Sequence, residues 1–101
     1  MRKGVLELCI LSIIGKRHEV YASDILRELK QARLIVVEGT LYPLLTRLKN
    51  DELLSYRWEE SKSGPPRKYY QLTETGRELL LSLKTGWHEL VAAVEQLIKT
   101  S

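Results

Sequence analysis

Glu38 to Asn50 reads EGTLYPLLTRLKN, and further along Lys62 to Leu72 reads KSGPPRKYYQL. Together the two stretches gather Thr40, Tyr42, Thr46, Arg47 and Lys49 with Lys62, Arg67 and Lys68. Hydroxyls and cations in this mixture bond well to phosphate oxygens and to the edges of bases. They do not make or break bonds on their own. The chain pairs no nucleophile with a base and has no glycine-rich phosphate loop. Glu59 and Glu60 are adjacent in a strand-like run, which sends their side chains to opposite faces. His18 and His88 are far apart, and Cys9 is the one cysteine, so no metal set is expected. The chemistry on offer is recognition rather than catalysis: the chain is expected to be neither an enzyme nor the holder of a cofactor.

At 101 residues the chain is expected to form one domain with a modest core, a size that often gains from dimerisation. Hydrophobic residues make up 44% and charged residues 29%, the balance of a folded protein rather than a disordered one. The net charge of +3 is unevenly placed. Residues 1–72 hold 13 Lys/Arg against 9 Asp/Glu, whereas residues 73–101 hold 3 against 4. A polyanion would therefore meet the first part. Cys9 lies in an apolar run, which favours a buried, unreactive thiol and a cytoplasmic location. The opening MRKGVLELCILSIIGKR loosely imitates a signal peptide, but Glu7 interrupts it. It is also shorter than the roughly 20 apolar residues that a membrane-spanning helix needs, so no membrane association is expected.

Those residues must be positioned by helices and a hairpin. Leu6, Cys9, Ile10, Ile13 and Ile14 share one helical face, predicting a helix over Lys3–Ile14 that stops at Gly15. Ser23 and Asp24 suit the start of a second helix with Ile25, Leu26 and Leu29 inward. After the link Ile35-Val36-Val37, a third helix over Glu38–Asn50 buries Leu41, Leu44, Leu45 and Leu48. The period then changes to two: Leu54, Tyr56 and Trp58 alternate, as do Tyr70 and Leu72, predicting a hairpin whose loop, Glu60–Pro66, contains Pro65 and Pro66. Tyr69 should face away from Tyr70. Thr73 is an N-cap for a long helix running almost to Ser101, whose Leu80, Leu83, Trp87, Leu90, Val94 and Leu97 form a coiled-coil seam.

Helix-helix-helix-hairpin is the order of a winged helix-turn-helix, in which the third helix enters the major groove. At 100° per residue, Tyr42, Pro43, Thr46, Arg47 and Asn50 stand opposite the leucines, with Thr40 and Lys49 on the flanks. A polar helix face alone is only a solvated face. Joined to a cationic hairpin at this distance, it reads as a surface for double-stranded DNA. The fold class expected is mainly α with a small β-hairpin. A winged helix-turn-helix over residues 1–72 is followed by a long C-terminal dimerisation helix over residues 73–101.

The runs Glu38–Leu48, Leu53-Leu54 and Gly64–Gly76, with the opening Arg2–Leu8, closely resemble the PadR family of bacterial transcriptional regulators. Gly-Thr-Leu-Tyr paired with Arg-Lys-Tyr-Tyr-x-Leu-Thr is specific at this spacing, and the length is similar to the subfamily with a single dimerisation helix. Ala22-Ser23 stand where the family carries Gly-Tyr, and Val37 where it carries a capping serine. The usual glycine after helix three is replaced within Asn50-Asp51-Glu52, where Asn50 or Asp51 should take the turn.

The resemblance implies a homodimeric repressor on an inverted repeat. Thr40, Tyr42 and Thr46 would contact the groove and phosphates, Arg47 and Lys49 would anchor the backbone, and Lys62, Arg67 and Lys68 would act as the wing. It also implies an effector candidate at Trp87, because some relatives stack flat aromatic compounds at the dimer centre. Trp87 either lines such a slot or packs the dimer core. The alternative function is a winged-helix protein-interaction module without specific DNA binding.

Overall fold

The computed structural model describes residues 3–61 and 63–99. Lys62 and the last two residues, where the fourth helix was expected to end, lie outside the described residues. The elements run α1 (Lys3–Arg17), β1 (Val20–Tyr21), α2 (Ala22–Gln31), α3 (Glu38–Asn50), β2 (Leu54–Ser61), β3 (Gly64–Leu72) and α4 (Glu74–Lys99). The strands form one antiparallel sheet in the order β1-β3-β2. Four helices and a hairpin make a winged helix-turn-helix with a long C-terminal helix.

The core forms where the apolar stripes of α1, α2 and α3 converge: Ile10, Leu11, Ile14, Ile25, Leu41, Leu45 and Leu48 are fully enclosed. Leu54, Tyr70 and Leu72 close it from the sheet. Gly15 does not stop α1 as expected. The helix continues to Arg17, followed by His18 with a φ of 69°. Gly15 serves instead as a point of close approach, because a Cβ there would lie 3.0 Å from Leu80 Cδ2 and 3.1 Å from Leu72 Cδ1. α2 begins at Ala22, with Asp24 Oδ2 accepting the Tyr21 amide at 3.1 Å. Two residues at β1 add a strand that the periodicity did not foretell, with Val20 opposite Tyr70 and Tyr21 opposite Tyr69.

The hairpin is longer than expected. Pro65 and Pro66 lie within β3 rather than in a loop. They fall where the register shifts between Glu59 and Ser61, an irregularity that spares the ladder the donors prolines lack.

The turn from α3 into β2 also departs from expectation. Glu52, not Asn50 or Asp51, takes the left-handed conformation, with a φ of 62°. Its carbonyl accepts the Thr73 hydroxyl at 2.6 Å, and Thr73 Oγ1 in turn accepts the Gly76 amide at 3.0 Å. A side chain with a Cβ is strained at that φ, so Glu52→Gly should stabilise the protein by roughly 1 kcal/mol. A urea titration would register this as a higher midpoint at unchanged slope.

α4, 26 residues long, spans about 39 Å. Only its first part packs on the core. The Cα radius of gyration is 15.4 Å, against about 13 Å for a compact chain of this length. The excess is the projecting helix.

Candidate nucleic-acid interface

The α3 stripe that faces inward leaves Thr40, Tyr42, Pro43, Thr46, Lys49 and Asn50 exposed on the other side. Thr46 donates its hydroxyl to the Tyr42 carbonyl at 3.0 Å, so its methyl and lone pairs remain for an outside partner. Arg47, expected on this face as a backbone anchor, is placed differently. Its guanidinium turns back to Glu7 on α1 and reaches Asp51 at 3.5 Å. Helical spacing puts Arg47 on the outward face, but the Glu7 carboxylate on the neighbouring helix draws its guanidinium inward.

The wing stands beside α3. Because successive strand residues alternate, Arg67 and Lys68 leave it on opposite faces. Lys68 Nζ sits 4.5 Å from the Tyr56 ring centre and 5.2 Å from that of Trp58, on the face towards α3. Lys49 Nζ approaches the same Tyr56 ring at 5.7 Å. Arg67 lies on the other face, 5.3 Å from the Tyr21 ring. There Tyr69, which does face away from Tyr70, stacks on Tyr21 at 3.9 Å and carries Arg57 at 4.7 Å. Arg57 also binds Glu19 at 2.6 Å and pairs with Glu59. Its hydrogen bond holds the Glu19 carboxyl below the usual range, and the two carboxylates hold the guanidinium protonated to higher pH. Tyr70, enclosed by the core, has its phenol pushed up by burial.

Between α3 and the wing lies a cleft of about 460 Å³ lined by Tyr42, Thr46, Trp58, Arg67 and Lys68 among others. Trp58, 60% exposed in its wall, is the residue that sequence reasoning missed. Period two assigned it to the core face, which is correct as a direction. The hairpin overhangs the end of the core, however, so that direction meets solvent. Its distance from Leu54 along the strand was the available signal.

The seam of α4 divides in two. Leu80 is buried in the core of the chain and Leu83 packs partly on the same core. Trp87, Leu90, Val94 and Leu97 are exposed, at 40%, 56%, 47% and 73%. Trp87 and His88 border a cavity of about 480 Å³ with Cys9, Leu29 and Lys84. Cys9 is half-buried, and burial raises its thiol pKa, so it holds its proton. Among the described residues there is no cluster of three metal-ligating side chains, and no helix is long and apolar enough to cross a membrane.

A third helix with an outward polar face, set beside a cationic β-hairpin, defines a winged-helix protein. Residues 10–82 match the Transcriptional regulator PadR-like family. The chain belongs to that family, whose members regulate transcription and are not enzymes. It is similar to a PadR-like transcription factor from Bacteroides fragilis, with 61% identity over 96% of this chain and 93% of that one and a TM-score of 0.84. A PadR-like transcriptional regulator from Bacillus cereus shares 39% identity over 95% and 93% of the two chains, with a TM-score of 0.82. Bacillus subtilis PadR, solved in complex with operator DNA, shares the fold at 22% identity and a TM-score of 0.72, over 81% of this chain and 46% of that one.

Proposed function

We propose that the protein is a homodimeric, cytoplasmic transcriptional repressor that binds an inverted repeat in double-stranded DNA. The observation that carries this is the exposed polar face of α3 beside the Lys68 face of the wing. The operator complex of Bacillus subtilis PadR supports duplex DNA as the partner. Thr40, Tyr42 and Thr46 enter the major groove. Lys49 and the wing cations Lys62, Arg67 and Lys68 meet the backbone on either side. Arg47, held by Glu7, acts by orienting the helix rather than by touching phosphate. In this reading residues 1–72 form the DNA-binding part and residues 73–101 the dimerisation helix. The exposed Trp87, Leu90 and Val94 pair across a two-fold axis, with Leu97 continuing the seam. That axis sets two recognition helices roughly 34 Å apart. Release is by a small aromatic compound stacked at Trp87, for which the neighbouring cavity is the support.

The test is selection from a random duplex library at near-physiological salt. Enrichment of an inverted repeat with half-sites one turn apart establishes the repressor reading. Retention without enrichment indicates non-specific binding, and no retention points to a protein partner. Replacing Arg67 and Lys68 with alanine removes two cations from each of two subunits, so it should weaken binding to all sequences and lower the slope of log affinity against log salt by about 4. Unchanged affinity would remove the wing from the interface.

A further inference from the structure

The turn between α2 and α3 presents two aliphatic side chains to solvent. Ile35 is 82% exposed and Val37 65%, while Val36 between them packs partly on the core. Adjacent water-facing methyl groups form a patch of the kind that marks a contact. Their groove, about 410 Å³, is shared with Arg27 and Lys30 of α2 and with Glu38 at the start of α3. Lys30 is exposed, and Arg27 reaches Asp24 at 3.3 Å. The rim thus carries Lys30, an Arg27 shared with Asp24, and the Glu38 carboxylate.

Position indicates what this patch meets. Val37 is the N-cap of α3, with extended backbone (φ −86°, ψ 157°) and no side-chain cap hydrogen bond. A serine or threonine there would bond the helix's own amides; valine offers only methyls. The N-terminal residues of a recognition helix are those that reach base edges. Further along α3 the outward face stays rich in methyls, from Thr40 and from Thr46, whose hydroxyl turns back to Tyr42. A bidentate arginine or lysine reads guanine, and Arg47 is turned to Glu7 instead. Apolar contact reads the C5 methyl of thymine.

We infer that Val37 and Ile35 read thymine methyl groups in the major groove, with Lys30 and Arg27 against the flanking phosphates. The half-site then carries thymine beneath the N-terminus of α3. This rests on the DNA-binding reading above and gives it a base preference. The place of Val37 at the N-terminus of α3, the end of a recognition helix that meets base edges, favours a nucleic acid over an apolar protein segment as the occupant.

The test resynthesises the selected operator with deoxyuridine replacing each thymine in turn, which removes the methyl and keeps every hydrogen-bonding edge. The wild-type protein should lose about fourfold in affinity per contacted methyl. Val37→Ser should melt at a higher temperature, because serine caps the helix, yet bind thymine and uracil operators alike at the position Val37 contacts. Ile35→Ala should lose the preference at the position next to it. Equal wild-type affinity for thymine and uracil operators overturns this inference while the regulator reading stands. Full thymine preference retained by both variants overturns it as well. A selection that returns no operator removes the sequence-specific reading, and this inference with it.

Discussion

Gly76→Ala is expected to destabilise the protein by about 3 kcal/mol or more, lowering Tm on the order of 12 °C or more. A Cβ at Gly76 would stand 2.1 Å from the Leu53 carbonyl oxygen and 3.1 Å from its carbon. Both are backbone atoms, so no rotamer change relieves the clash. The same oxygen accepts the Thr73 amide at 3.1 Å, so moving it breaks the seam between α4 and the α3–β2 turn. Gly39→Ala provides the contrast, because nothing lies within 4 Å of its Cβ and the residue is exposed in a helix. There alanine should stabilise by up to about 1 kcal/mol through helix propensity alone. Thermal melts of the two variants beside the wild type decide the matter. A similar Tm for both would mean that the contact at Leu53 is not what requires glycine at position 76.

The second large effect concerns assembly. Leu90 and Val94 are about half exposed and lie outside the core cluster. Leu90→Glu combined with Val94→Glu should therefore leave the winged helix folded, with an unchanged far-ultraviolet spectrum, while halving the mass measured by sedimentation. Affinity for a full inverted repeat should fall by about a hundredfold or more, because the second half-site is no longer tethered to the first. Affinity for an isolated half-site should stay the same. A variant that remains dimeric would move the two-fold contact away from this stripe. A monomer with undiminished operator affinity would sink the two-half-site reading.

These two variants affect different kinds of information. The stripe of Leu90 and Val94 is a local periodicity, visible at any helical spacing. The obstruction at Gly76 is not, because Leu53 arrives through a turn whose left-handed residue, Glu52, carries no glycine to mark it. The wing shows the same division. Alternation assigned Tyr69 and Tyr70 to opposite faces, but that Tyr69 would stack on Tyr21 depended on β1. That strand is two residues long, too short to carry a period of its own.

By itself the sequence determined the course of α3 from Glu38 to Asn50, the hairpin, the long α4 and the family. Each of these follows from periodicity, turn chemistry or a run of adjacent residues. Only the tertiary structure decided that Gly15 is a contact rather than a stop, because Leu72 and Leu80 define that contact from far along the chain. It also withdrew Arg47 from the outward face by supplying Glu7 from α1, enclosed Leu80 in the core and left Trp58 beyond the edge of the core. The physical reason is common to all four. Local backbone geometry sets the direction in which a side chain leaves its element, but distant segments set what it meets there.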